Sequence, residues 1–221
     1  MLSYHRSMTE LLVTRNLGLL DYEISLLKMQ KFTNSRKKNT PDELWLVQHP
    51  PVFTLGSSGE KEQLLVPTDI PVVNSDRGGK ITYHGPGQCL VYIMVDLQRI
   101  GLGVRSLVNL IESSMIDLLL TYQISAHRNH DAPGVYVQNE KIASLGLRIR
   151  RGLSYHGVAL NVDMDLSPFN SINPCGYVDL KVTSMALWSS VIEAERVGLD
   201  MLEVLTSSLK PLYKGVKTFN E

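Results

Sequence analysis

The chain has little cysteine, no net charge and no long apolar run, and each shortage removes a class of function. Its two cysteines, Cys89 and Cys175, lie far apart with no CxxC pair, which argues against a disulfide framework or a zinc site and fits a reducing compartment. The 22 lysines and arginines equal the 22 aspartates and glutamates, so no global field draws the chain to nucleic acid or an anionic membrane. No apolar stretch reaches the roughly 18 residues of a membrane span, and Met1-Leu2-Ser3-Tyr4-His5-Arg6 leads into polar residues instead of a signal-peptide core. The expectation is a soluble, cytoplasmic protein with no nucleic-acid or membrane partner. Neither GxxxxGK followed by Ser or Thr nor GxGxxG occurs, so the common phosphate-binding signatures are missing. There is no internal repeat, and 221 residues suffice for a sizeable core, so 1–221 is read as one domain.

What is there is a dense loop, Arg77-Gly78-Gly79-Lys80-Ile81-Thr82-Tyr83-His84-Gly85-Pro86-Gly87-Gln88. Four glycines in so short a segment cost folding entropy that packing does not return, which points to a loop that closes around a ligand. It runs into Cys89-Leu90-Val91-Tyr92-Ile93-Met94-Val95-Asp96-Leu97, an apolar and partly β-branched run that reads as a buried strand holding the loop on a sheet.

Around this loop the pattern alternates between helix and strand. Asp21 is placed to cap a helix carrying Tyr22, Leu26, Met29 and Phe32 at helical spacing. The polar segment Asn34 to Asp42 reads as a solvated loop. Leu44 to Val47 and Pro71 to Val73 read as strands, with His49-Pro50-Pro51 as a corner that interrupts hydrogen bonding. Leu107, Leu110, Ile111, Met115, Leu118 and Leu119 form one helical stripe; Val197, Met201, Leu202, Leu205 and Leu209 form another. Leu145, Leu147 and Ile149 alternate with Gly146, Arg148 and Arg150, and Val158 to Val162 supplies a further strand. The whole reads as α+β, with helices packed on a mixed, mostly antiparallel sheet.

Arg77 to Gln88, Lys141-Ile142-Ala143-Ser144-Leu145-Gly146, His156-Gly157-Val158-Ala159-Leu160-Asn161-Val162 and Ile172-Asn173-Pro174-Cys175-Gly176 occur in an order that resembles the lipoyl(octanoyl) transferases. His49-Pro50-Pro51-Val52-Phe53-Thr54 and Asp131-Ala132-Pro133-Gly134-Val135-Tyr136-Val137 extend the resemblance, which covers roughly 11–184. It implies the fold of the biotin and lipoate ligases. It also implies transfer of an octanoyl group from octanoyl-acyl carrier protein to a lysine of lipoyl domains, those of 2-oxoacid dehydrogenases and the glycine cleavage H protein, in lipoate biosynthesis and protein lipoylation. The transfer would pass through a cysteine thioester, with no cofactor and no metal. The site residues it implies are Cys175 and Lys141 as catalytic pair. The implied substrate-binding segments are Arg77 to His84, Ser144-Leu145-Gly146 and Gly157-Val158-Ala159.

The residue chemistry supports this without settling each role. A cysteine alone is more often a small buried hydrophobe than a nucleophile, but Pro174 and Gly176 set Cys175 on a tight turn, whereas Cys89 opens an apolar strand. A thiol of ordinary pKa near 8.5 is only a few per cent thiolate at neutral pH and needs a cation or base beside it. Lys141 can serve either way, as ammonium or as neutral amine. On its own it is a lysine in a hairpin turn, since Gln138-Asn139-Glu140-Lys141 is turn-like. His84 and His156 are the alternative bases, giving a cysteine-histidine site. Small residues after Lys141 leave room for an acyl chain and for backbone N–H groups facing an oxyanion. Arg77 alone is equally a partner for Asp76 or another surface acid. Arg148, Arg150 and Arg151 form a basic cluster suited to an acidic carrier protein. An ATP-dependent ligase on the same fold, a noncatalytic acyl-binding protein and a thioesterase are the competing readings.

Overall fold

The computed structural model describes residues 11–129, 132–172, 180–190 and 192–220. Cys175 lies outside them. The chain opens with strand β1, Leu12–Leu19, and helix α1, Tyr22–Ser35. Asp21 caps that helix as expected, its carboxylate accepting from Glu23 N at 2.8 Å and Ile24 N at 3.2 Å. Strands β2 (Asp42–Gln48), β3 (Val52–Leu55), β4 (Val72–Asn74), β5 (Ile81–His84) and β6 (Gln88–Met94) follow. Next come a short helix α2 (Leu97–Ile100), the long α3 (Val104–Thr121), and strands β7 (His127–Arg128), β8 (Val135–Val137), β9 (Glu140–Arg150) and β10 (Leu153–Asn161). Helix α4 (Ala194–Leu209) and strand β11 (Val216–Asn220) close the described chain.

The main sheet runs β11-β1-β2-β6-β10-β9-β8-β7, and a small one runs β4-β3-β5. In the main sheet β11, β1 and β2 are parallel neighbours, and every pairing from β2 to β7 is antiparallel. The architecture is the expected α+β fold with a mixed, mostly antiparallel sheet. The alternation along β6 shows how it is covered. Cys89, Val91 and Ile93 face a core that includes Leu107, Ile111 and Met115 of α3 and Val197, Met201 and Leu205 of α4. Leu90, Tyr92 and Met94 face the opposite way, with Met29 of α1. Burial on both faces explains why this strand reads as a continuous apolar run, and each fully buried large side chain contributes about 1.5–3 kcal/mol.

Two local readings change. The apolar run expected through Leu97 ends as a strand at Met94, and Leu97 begins α2, capped by Asp96, whose side chain accepts from Arg99 N. The polar segment from Asn34 to Asp42 is not wholly solvated. Asp42 is fully buried and pairs with Arg36 and Arg99, while Tyr213 donates to its Oδ2 at 2.7 Å. A buried carboxylate is tolerated there because cations and a hydroxyl surround it. Among the described residues no helix is long and apolar enough to cross a membrane.

Candidate active site

A pocket opens on the α1 side of the sheet, between the glycine-rich loop and strands β6, β9 and β10. It encloses only about 60 Å³, a narrow slot well short of a full small-molecule cavity. Leu90, Tyr92 and Ala159 give it apolar walls; Arg77, Lys80 and Lys141 give it cations.

Lys141 is the second residue of β9. The turn before it is taken by Gln138 and Asn139, with Gln138 at φ +51°, so the lysine itself stands in the strand and not in the turn. Its pairing is irregular: Tyr136 faces Lys141 but Val135 faces Ala143, leaving Ile142 as an extra residue. This bulge puts Ile142 and Ala143 both into the helix-covered core, while Lys141 and Ser144 both line the pocket. The lysine is 3% exposed, its Nζ donates to Pro133 O at 3.1 Å, and the ammonium lies 5.3 Å over the Tyr136 ring. Gly134 makes this path possible. At φ +145°, a Cβ there would sit 2.8 Å from Ala143 O and 3.0 Å from Lys141 Cε. The lysine backbone is bonded on its outer side to the segment that follows Cys175: Lys141 N donates to Lys181 O at 2.9 Å and Thr183 N to Lys141 O at 3.0 Å.

The glycine-rich loop is fastened by Arg77 and by Asp76. Arg77 reaches back to Thr54 and across its own turn. Its Nε and Nη2 donate to Thr54 Oγ1 at 3.0 and 2.9 Å, Nη2 also to Thr54 O and Lys80 O, and Nη1 to Gly78 O. Gly78 N in turn donates to Leu147 O on β9 at 3.0 Å. Gly146 is small for that reason: a Cβ would lie 3.0 Å from Gly78 O and 3.3 Å from Arg77 Cδ. Its space therefore serves loop packing. Gly79, Lys80, Ile81, Thr82 and His84 line the pocket together with Ser144, Leu145, Gly146, Gly157, Val158 and Ala159. Gly78 and Tyr83 lie behind that wall, Tyr83 packing on Phe53 and Phe169.

His84 sits in a chain of hydrogen bonds whose direction is fixed. Thr54 Oγ1 accepts from Arg77 and so gives its one proton to His84 Nε2, 3.3 Å away. His84 Nδ1 donates to Gln88 Oε1 at 2.7 Å, Gln88 Nε2 to Asn161 Oδ1 at 2.8 Å, and Asn161 Nδ2 to Thr183 O at 2.9 Å. Burial, with the nearby His49 and Arg77, holds His84 well below the usual histidine pKa. The ring is neutral, stacked on Tyr22 at 5.7 Å, with both nitrogens engaged. Its geometry suits a wall and a relay of orientation better than a base. His49, buried under it, donates through Nδ1 to Leu20 O and accepts from Tyr92 Oη, and burial pushes it down to about 4.

His156 adopts φ +59°, a left-handed conformation costly for a residue with a Cβ. Its Nε2 donates to Asp76 Oδ1 at 2.8 Å, while Tyr155 Oη and Gln30 Nε2 donate to Oδ2. Burial pushes the Asp76 carboxyl upward, but these three donors outweigh it and hold it well below the carboxylate range. Burial also lowers His156, against the pull of Asp76.

Several of these residues were not singled out from sequence. Tyr22, Leu90 and Tyr92 read there as core positions, and only the side-to-side alternation of β6 separates its pocket-facing residues from the others. Pro133 and Gly134 lay within a matching motif but had no role until Lys141 was seen against them. Among the described residues no cluster of histidine, cysteine and carboxylates is arranged to hold a metal.

The chain belongs to a known class of catalytic domains: residues 21–206 match the family profile described as lipoyl protein ligase A/B catalytic domain. An octanoyltransferase of Azotobacter vinelandii is 59% identical over 178 residues, 80% of this chain and 82% of that protein. One from Pseudomonas savastanoi pv. phaseolicola is 54% identical over 202 residues, 91% of this chain and 93% of that one. The chain thus belongs to the octanoyltransferase family, a group of acyltransferases within the lipoyl protein ligase A/B catalytic-domain class. In fold it also resembles a solved lipoate-protein ligase A bound with ATP, with a TM-score of 0.77 at 13% identity over 97% of this chain and 89% of the other.

Proposed function

We propose that this chain, acting as one catalytic unit over 1–221, moves an octanoyl group from octanoyl-acyl carrier protein to a lipoyl-domain lysine through a thioester on Cys175. The observation that carries the reading is Lys141: a lysine 3% exposed, led by a bulge and a glycine to the wall of a pocket with apolar sides. Its backbone bonds to Lys181, which follows Cys175 closely along the chain. This closeness along the chain supports pairing Cys175 with the amine.

In the first half-reaction the Cys175 thiolate attacks the donor's thioester carbonyl, the carbon becomes tetrahedral, and the carrier thiolate leaves and takes up a proton. In the second, the neutral amine of the acceptor lysine attacks the Cys175 thioester, loses its proton, and the Cys175 thiolate leaves as the amide forms. Lys141 has one role in each half. As ammonium it stabilises the thiolate and gives its proton to the departing carrier thiolate, and as the neutral amine so formed it takes the proton the acceptor amine gives up. A thioester already holds the free energy that an amide needs, so no nucleotide is required. The apolar walls from Leu90 and Ala159 suit the hydrocarbon tail, and the loop from Arg77 to His84 closes the pocket over it. Acceptors of this kind include the lipoyl domains of 2-oxoacid dehydrogenases and the glycine cleavage H protein.

The test is mass spectrometry of the protein incubated with octanoyl-carrier thioester in ATP-free buffer. A mass increase of one octanoyl group, lost on adding a lipoyl domain, is expected. Cys175→Ala should abolish both steps and Cys89→Ser should retain them, because Cys89 is buried in the helix-covered core with its thiol pushed up to about 12 by burial. An adduct that survives in Cys175→Ala overturns the assignment of the nucleophile. A strict need for ATP moves the chain to the ligase reading.

A further inference from the structure

Glu112 is a carboxylate 5% exposed on the inner face of α3, among Leu107, Ile111 and Met115, and the chemistry described so far does not use it. Its Oε1 accepts from Gly134 N at 3.0 Å, and its Oε2 lies 3.4 Å from Arg128 Nε. Arg128 is itself tied back to α3, donating to Asn109 O and Ser113 Oγ. The peptide that Glu112 holds is the one that receives Lys141. Pro133 O accepts from the lysine Nζ, and Gly134 leaves the gap through which Cε passes.

We infer that Glu112 is a positioning residue for the acyl transfer: it fixes the Pro133–Gly134 peptide so that the Pro133 carbonyl aims the Lys141 amine. Burying a carboxylate in an apolar helix face is costly unless it is paired and hydrogen-bonded. A leucine or methionine there would pack on the same core at less cost. The carboxylate does something a hydrophobe cannot, which is to accept one backbone N–H in a stretch that no sheet pairing satisfies. Gly134 stands one residue before β8 begins, so the ladder does not reach its N–H. The inference rests on the catalytic role proposed for Lys141.

The test is a cycle of purified full-length variants assayed with octanoyl-carrier donor and lipoyl domain. Glu112→Met keeps chain length and removes both oxygens. Its kcat should fall about 10- to 100-fold, the range expected when a reacting group is displaced by a fraction of an ångström to an ångström. KM for the donor should stay within about threefold. Glu112→Gln, which restores an acceptor oxygen, should recover most of the lost kcat. In a Lys141→Met background, Glu112→Met should cost nothing further, because the group it orients is gone. A loss that multiplies fully in that background, or that falls on KM alone, means Glu112 only supports the fold and overturns the inference. Should Glu112→Met not fold, Glu112→Asp takes its place in the cycle with the same expectations, since its shorter side chain withdraws the acceptor from Gly134 N. The two readings fail separately. If Lys141→Met alone leaves kcat intact, the catalytic role of the lysine falls; if it lowers kcat while Glu112→Met changes nothing, only the positioning role falls.

Discussion

Tyr155 and His156, consecutive residues of one strand, both donate hydrogen bonds to the carboxylate of Asp76. In a regular strand neighbours point to opposite faces, and by that rule His156 belongs with Val158 and Leu160 on the helix-covered face. The φ of +59° at His156 breaks the rule. The imidazole instead stacks on the Tyr155 ring at 5.0 Å and lines the pocket. Such backbone strain costs about 1–3 kcal/mol and persists because Asp76 also binds Gln30, so one carboxylate joins α1, the glycine-rich loop and β10.

Asp76→Ala should therefore loosen the pocket and not merely the surface. It leaves the His156 donor, which is 2% exposed, without a partner. We expect a loss of about 1–3 kcal/mol of stability, together with faster hydrogen exchange at Arg77 to Lys80. Denaturant melts and exchange mass spectrometry measure the two. Unchanged exchange in the loop would mean that Arg77 alone secures it.

Acid should destabilise the fold earlier than carboxylates alone predict. His49, His84 and His156 are all held below the usual histidine value by burial. The unfolded chain binds protons at these positions that the folded chain does not, so their contribution is complete above about pH 6.5 and is lost as pH falls. For His49, held at about 4, the loss from pH 7 to below pH 4 is roughly 3 kcal/mol. The depressed Asp76 carboxyl acts in the same direction below about pH 4. Melting temperature should fall steadily from pH 7 to pH 4, and His49→Gln should flatten that slope.

Lys141 and His84 can be told apart by the reactivity of the nucleophile. With Lys141→Met, the pH profile of Cys175 alkylation should move up by about a unit, since a nearby ammonium favours the thiolate. Acyl transfer should fall further than alkylation, because the proton acceptor is lost as well. His84→Ala should leave the alkylation profile in place, as its two nitrogens are spent on Thr54 and Gln88. The reverse pattern favours a cysteine-histidine site.

Arg148 and Arg150 lie exposed on the strand face shared with Ser144 and Gly146, and Arg151 follows in the turn, also exposed. An acidic carrier docking there places its acyl arm at the pocket mouth. Reversing the three charges should reduce use of carrier-bound donor at least tenfold, and less at high salt, while sparing a small octanoyl thioester. Equal losses with both donors would assign the arginines to the pocket itself.

The sequence by itself determined the parts governed by short-range periodicity and steric need. The stripes of α3 and α4, the cap at Asp21, the His49-Pro50-Pro51 corner and the glycine-rich loop beside the pocket were all legible, because helical spacing, proline geometry and clustered glycines are local signals. Tertiary structure decided the rest. The bulge at Ile142, the left-handed turn at His156, the meeting of Asp76 with β10 and the hold of Glu112 on Gly134 each join segments distant along the chain. No repeat of two or 3.6 residues encodes them. Each is fixed only when packed neighbours outweigh a local preference, whether strand alternation, backbone strain or the cost of burying a charge.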